Sequence, residues 1–259
     1  MNRFVARIAY TNTEPYFFHW PLHEFPLISG VPRELAEEAA SAADDILAGP
    51  LPIVETWKME DRFEPLSWGI AGREFCQSVL LLSHHPISEL DNTAIGLTLE
   101  SSTSVALCEV ILKERYGHDV RLRRGLNRDD DGWLVIGDQA LRIFAGPRLG
   151  DWNFVTDLAS EWWDWQRLPF VFARWVINKS VPSEEKNRLL EIIKSSLAAG
   201  LDSIPAIALY QSSLLKIPAQ SIVDYLTGIV YELGPQEEEG AGVFRELARK
   251  VANIPVLSV

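Results

Sequence analysis

Four hydroxyl residues stand in a row at Ser101, Ser102, Thr103 and Ser104, between a strand-like run, GLTLE, and an apolar-periodic run, VALCEVILKERYG. One hydroxyl is enough to cap a helix by accepting from its first N–H groups. A helix start carries unpaired N–H groups and about half a positive charge. In open α/β sheets, ligands collect outside the carboxyl ends of strands. The spare hydroxyls add donors, so 101–104 has the chemistry to hold a carboxylate or phosphate without a cation. A capped helix with surplus surface hydroxyls would show the same pattern. Asn12, in TNTEP (11–15), occupies the equivalent turn after the first strand-like run. Its amide can donate and accept, although an Asx turn before Pro15 explains it equally well. Asp138, in IGDQAL (136–141), ends a buried-looking run, where it would either contact a ligand or cap a turn.

Other chemistries find no foothold. IAYTNTEP lacks G-x-G-x-x-G and G-x-x-x-x-G-K-[ST], which removes the common nucleotide readings. There is no G-x-S-x-G, H-E-x-x-H or C-x-x-C, so hydrolytic triads and zinc catalysis are unsupported. Neither Cys76 nor Cys108 has a second Cys or a His at ligand spacing, so both read as buried free thiols. His84 and His85 read as a loop before Pro86, and RDDDG (128–132) and QEEEG (236–240) as solvated turns. No metal and no cofactor is expected.

The balance of 24 Lys plus Arg against 36 Asp plus Glu gives −12, a field that repels nucleic acid and anionic lipid. A small anion would need a local site built from backbone N–H groups. The first residues, MNRFVARIAYTNTEP, contain no apolar core of a secretion signal, and no apolar run approaches membrane-span length. A cytoplasmic protein is expected.

Those side chains need elements to position them, and the pattern alternates. RFVARIAYT, CQSVLLLS, NTAIGLTLE, VRLRRG, GWLVIGDQAL and PFVFARWVI read as strands. The stretch from Pro32 through DDILAG, the run 104–116 closed by Gly117, DLASEWWDWQRL, SEEKNRLLEIIKSSLAAG and IPAQSIVDYLTGIVYELG read as helices. Ser183 is the expected N-cap and Gly200 the expected end of the fourth; Leu226, Ile229, Val230 and Leu233 share the inner face of the fifth. The outcome is an α/β fold with mostly parallel sheets. Three Trp within EWWDWQRL wrap around a helix, which suits packing between lobes or against a second copy in a homodimer.

In order along the chain, RIAYTNTEP, AGPLPIVE, SVLLLSHHPISEL, LESSTSVALCEVIL, VIGDQAL, LPFVFARWV and YELGPQEEEGAGVF resemble the chorismate dehydratase family of the futalosine route to menaquinone. The resemblance runs from about Arg7 to Phe244. It implies a two-lobed, type II periplasmic-binding-protein-like fold with the ligand in the cleft. Lobe one would be 1–90 plus 175–259 and lobe two 91–174, with crossings near 86–93 and 168–178. It implies a hydro-lyase that dehydrates chorismate, a small dicarboxylate, with no cofactor, no nucleic acid and no membrane. Asn12 and Ser101 would be catalytic, and Ser102, Thr103, Ser104 and Asp138 would bind substrate. Relatives often carry Arg where this chain has Ser102, Gly where it has Arg167, and Ser where it has Pro52. The alternatives are a small-acid binding protein of the same fold and an enzyme of a later futalosine step. That later enzyme, a dehypoxanthine-futalosine cyclase, typically carries a Cys-containing motif in its first turn, so YTNTEP without a nearby Cys favours the dehydratase.

Overall fold

A computed structural model describes residues 3–41, 45–146 and 152–251. In chain order the elements are β1 (Phe4–Ile8), α1 (Glu14–Phe17), β2 (Leu27–Gly30), α2 (Pro32–Ser41), β3 (Ile46–Pro52), α3 (Ile53–Thr56), β4 (Phe63–Gly72) and β5 (Val79–Ser83). Then follow β6 (Ala94–Leu97), α4 (Ser102–Val110), β7 (Arg121–Arg124), β8 (Gly132–Ile136), α5 (Gly137–Ala145), β9 (Phe154–Asp157) and α6 (Leu158–Gln166). The chain ends with β10 (Phe170–Asn178), α7 (Ser183–Asp202), α8 (Ile204–Leu215), α9 (Ala219–Gly228), β11 (Ile229–Glu232) and α10 (Pro235–Val251).

The chain divides into two compact units, 1–70 with 173–232 and 71–172 with 233–259. The divisions thus fall at residues 70, 172 and 232, not at 90 and 174. The physical reason is sheet membership. β5 pairs with β8 and β9, so it belongs to the second unit's sheet. In the C-terminal unit segment, α10 packs its Phe244 edge-on against Trp162 of α6.

The first unit is a six-stranded sheet in the order β11-β4-β10-β3-β1-β2. β1 runs parallel to β2 and β3, and β10 antiparallel to β3. The expected helix from Pro32 through DDILAG is corrected at its end: residues 46–49 are strand, because β3 is buried at every position and sits inside the sheet. The core gathers Val5, Ile46, Leu47, Leu51, Trp175 and Ile177 under Leu189, Ile193 and Leu197 of α7. Gly200 does not end α7 but lies inside it. A Cβ there would meet the Pro15 carbonyl oxygen at 1.8 Å, so glycine lets α7 close on the turn that carries Asn12. α7 has no side-chain cap; its N-cap is Pro182, not Ser183. α9 stops at Gly228, and Ile229 and Val230 belong to β11.

The second unit is a five-stranded sheet in the order β7-β6-β8-β5-β9. β6 runs parallel to β7 and β8, while β5 runs antiparallel to β8 and β9. Both sheets are therefore mixed. β6, β8 and β9 share one direction, and each feeds a helix, so α4, α5 and α6 all start at one edge. α4 continues through a π-helical turn, Ile111–Arg115, and closes at Gly117 in the left-handed region (φ +70°). QEEEG is not a solvated turn but the first turn of α10. There Glu237 is buried and accepts from the Gly234 N–H at 3.0 Å, a capping arrangement. RDDDG is a turn, but Asp130 is buried and accepts from Asn127 N–H at 3.0 Å, and Asp131 accepts from Ala94 N–H at 2.8 Å.

Candidate functional site

In the first unit, β1 ends in a single 3-10 turn, Thr11–Thr13, that carries Asn12. Thr13 locks the turn: its hydroxyl lies 2.6 Å from the Ile8 carbonyl oxygen and 3.0 Å from that of Tyr10, and donates to them. Arg7 donates to buried Glu14 at 2.6 Å just beyond. The Asn12 Oδ1 is shut off from solvent and accepts no hydrogen bond. An unpaired buried acceptor costs about 1–3 kcal/mol, so this turn holds an amide oxygen that lacks a donor. An Asx turn, the local alternative for Asn12, would have given that oxygen a backbone partner.

In the second unit the four hydroxyls divide their work. Ser101 is the N-cap of α4, with its Oγ accepting from the Ser104 N–H at 3.2 Å. The Ser104 side chain is buried and lies 3.2 Å from the same Oγ, as its acceptor. The Ser102 and Thr103 hydroxyl oxygens are buried and make no hydrogen bond. Two donors therefore stand beside N–H groups that have no partner inside the helix.

Asp138 lies in the first turn of α5 at the same edge, one strand away, not in a polar turn after the strand. Gly137 of the G-D-x-A-L motif has φ +60° and donates its N–H to the Ser78 carbonyl at 2.8 Å. A left-handed residue at that point requires glycine. The structure thus brings Ser101–Ser104 and Asp138 to one sheet edge of one unit, and sets Asn12 at the carboxyl end of β1 in the other.

One residue at this edge escapes the chemical motifs. Asp157 caps α6, and its Oδ1 accepts from Ala159 N–H at 2.9 Å and Ser160 N–H at 3.3 Å. Its Oδ2 accepts from Cys76 N–H at 3.0 Å and Gln77 N–H at 2.6 Å. With the Cys76 thiol also donating to Oδ1 at 3.6 Å, four backbone N–H groups and one thiol hold a carboxylate at this edge with no cationic side chain among these donors. The signal was present in the sequence, since an Asp directly before a helical run is an N-cap. Burial, and then the charge of Asp157, push the Cys76 thiol well above its usual range. Burial, and then Glu109, push the Cys108 thiol up to about 12. Both thiols are free, buried and protonated, as structural cysteines are.

Among the described residues no group of three His, Cys, Asp or Glu is placed to hold a metal ion. No single helix among them is long and apolar enough to cross a membrane; α7 and α8 pass that test only together, with a bend of 76° between them.

The family description "Menaquinone biosynthesis" matches residues 4–250. A chorismate dehydratase from Thermus thermophilus is 28% identical over 260 residues, covering 92% of each chain. Among solved structures, protein AF1704 from Archaeoglobus fulgidus superposes with a TM-score of 0.75 at 15% identity, over 96% of this chain and 97% of that one. The alkanesulfonate-binding protein SsuA from Xanthomonas axonopodis pv. citri gives 0.69 at 10% identity, over 98% and 94%. The aliphatic sulphonate-binding SsuA of Escherichia coli gives 0.62 at 14%, over 97% and 86%. These likenesses show a two-lobed periplasmic-binding-protein fold of type II.

Proposed function

Because this chain belongs to the menaquinone biosynthesis family, we propose that it is a carbon–oxygen lyase that removes water from chorismate to give 3-[(1-carboxyvinyl)oxy]benzoate. That step would open the futalosine route, in the cytoplasm. The observation that carries the reading is the 101–104 turn, whose Ser102 and Thr103 hydroxyls lack partners at a helix start. Chorismate brings two carboxylates, and an acidic protein needs such a turn to hold them. The name of the Thermus thermophilus relative supplies the substrate.

The reaction breaks a ring C–H bond and the neighbouring C–OH bond. The C–H electron pair becomes the ring double bond that completes aromaticity, and water leaves with the proton. Aromatisation provides the driving force, so the protein's share is orientation and stabilisation of the charge that develops. Ser102, Thr103 and Ser104, with the α4 N–H groups, bind a carboxylate. Ser101 caps the helix with its oxygen and donates its hydroxyl proton to Ser104 Oγ, a proton it would turn to the reacting region when substrate binds. Asn12 orients the substrate or assists the departing hydroxyl through its amide, and its unpaired Oδ1 is the acceptor for a substrate O–H. Asp138 lines the binding edge. A substrate carboxylate takes the ring proton.

The test is purified protein mixed with chorismate, followed by mass spectrometry and by absorbance of the aromatic product. Stoichiometric loss of water supports the lyase. Saturable binding without turnover would make this a small-acid binding protein. Inert chorismate with turnover of a later futalosine-route intermediate would move it to that step.

A further inference from the structure

α8 carries a surface that the proposed reaction does not use. From Ser203 to Leu215 the sequence contains no Asp, Glu, Lys, Arg or His, the longest such run in the chain. One face of the helix is core, with Ile204, Ile207, Ala208, Gln211 and Leu215 buried. The other face is not polar, as a surface helix ordinarily is. Leu209, Tyr210 and Leu214 are 69%, 58% and 52% exposed. His19 Nε2 lies 2.8 Å from Ser203 Oγ, which ties the segment carrying exposed Phe18 and Leu22 to the start of the helix.

We infer that this face of α8 is the two-fold interface of a homodimer. Charge selects the occupant. Copies carrying −12 each repel one another, so a self-association surface must be free of charge, and this one is. A helix that lies on a lipid surface relies on Lys and Arg along its polar face, and α8 has neither. A two-fold interface must also complement itself. In an antiparallel pair with its axis at Tyr210, Leu214 of one copy faces Ala206 of the other, large against small. A helix of this length spans about 18 Å and covers only part of the roughly 800 Å² per partner of a standard interface. The Phe18–Leu22 segment and half-exposed Leu201 extend it.

The experiment is sedimentation equilibrium of the full chain from about 1 to 100 μM, a range that spans micromolar dissociation constants. The expected result is a dimer whose dissociation constant rises about thirtyfold or more in Tyr210→Glu, as when a central anchor is lost. Leu126→Glu, an exposed leucine of the other unit, should leave it unchanged. Tyr210→Cys should form a disulfide with its own copy under oxidation, since Cys76 and Cys108 are buried, and this readout holds even where Tyr210→Glu fails to fold. A wild-type monomer throughout, a dimer indifferent to Tyr210→Glu, or no cross-link at position 210 would overturn the inference. So would binding to phosphatidylglycerol vesicles that Tyr210→Glu abolishes, which would make the face a lipid contact.

Discussion

On the proposed mechanism, Asn12→Ala should separate catalysis from stability. The turn around Asn12 is held by the Thr13 hydroxyl and by Gly200 beneath Pro15, not by the Asn12 side chain. Its Oδ1 is a buried acceptor without a donor, a state that costs about 1–3 kcal/mol. Deleting the amide removes that cost and also loses the contacts of three side-chain atoms, so the two effects nearly offset. The expected change in stability is within about 1 kcal/mol, or about 2–4 °C in Tm for a chain of this size, with the sign towards stabilisation. Turnover behaves differently. A donor or acceptor engaged in the transition state is worth about 2.7–4 kcal/mol, or about 10²–10³ in kcat. The assay pairs chorismate turnover, read by the aromatic product, with thermal unfolding of the same preparation. Wild-type kcat in the variant would remove Asn12 from the mechanism. A large drop in Tm accompanying the loss of activity would show that the amide is structural and that the unpaired-acceptor argument is mistaken.

The same structure leads to four further outcomes. Thr103→Ala, which breaks no hydrogen bond in the structure, should raise KM for chorismate about tenfold or more, the worth of one charge-assisted bond of about 1.5–3 kcal/mol, at unchanged Tm; Ser101→Ala should also lose about 0.5–2 kcal/mol of stability as the α4 cap goes, and a Tm that stays put in Ser101→Ala would contradict the cap. Arg167 sits at φ 57° in the left-handed C-cap of α6, which costs a residue with a side chain about 1–2 kcal/mol; Arg167→Gly should raise stability by about 1 kcal/mol without altering kinetics, and a lower Tm would refute the strain. Burial, and then the hydrogen bond to Glu161, raise the Tyr116 phenol from 10.0 to about 12, and burial holds Tyr16 and Tyr231 well above their usual value too. The unfolded state therefore sheds protons above pH 10 that the native state keeps, so stability is full below 10 and falls as pH rises through about 12. Phenolate absorbance during alkaline titration should show Tyr16 and Tyr231 ionising only with unfolding, and a smooth titration of all six tyrosines would contradict it.

What the sequence revealed depended on whether an element's reason for existing is local. VLLLS, AIGL and GWLVI are apolar enough to be central strands under any packing, and they are. β4 was hidden because it contains Pro65 and exposed Glu64, and β2 because it spans only four residues, none of them buried. Both exist by pairing with distant strands, which no window of sequence displays. Gly200 fits the signature of a helix terminus, yet its cause is the Pro15 carbonyl far away in sequence. Glu237 reads as solvated because its neighbours are acidic, and is buried because it caps the helix they begin. The candidate site was easier to read because β–α turns announce themselves through hydroxyls and glycines. Which hydroxyl caps and which is spare depends on rotamers, and only the structure assigns them.

That division of labour bears on how an acidic protein would hold the dianion of the proposed reaction. At the start of α4 this chain offers Ser102, a side chain without charge. The edge supplies attraction in another way. α4, α5 and α6 follow β6, β8 and β9 at the same edge of the sheet, the last two separated by β5, and each contributes the positive end of a helix dipole. Asp157, held by four N–H groups, demonstrates the capacity of that arrangement with a resident carboxylate. Fixed N–H dipoles of this kind need no mobile side chain to swing into place, so their reorganisation cost is low. An Arg would add Coulomb attraction but also a long side chain to order. Ser102 brings no charge but a short, buried, unpartnered donor, which fits a turn whose selectivity would rest on shape and hydrogen-bond geometry more than on net charge.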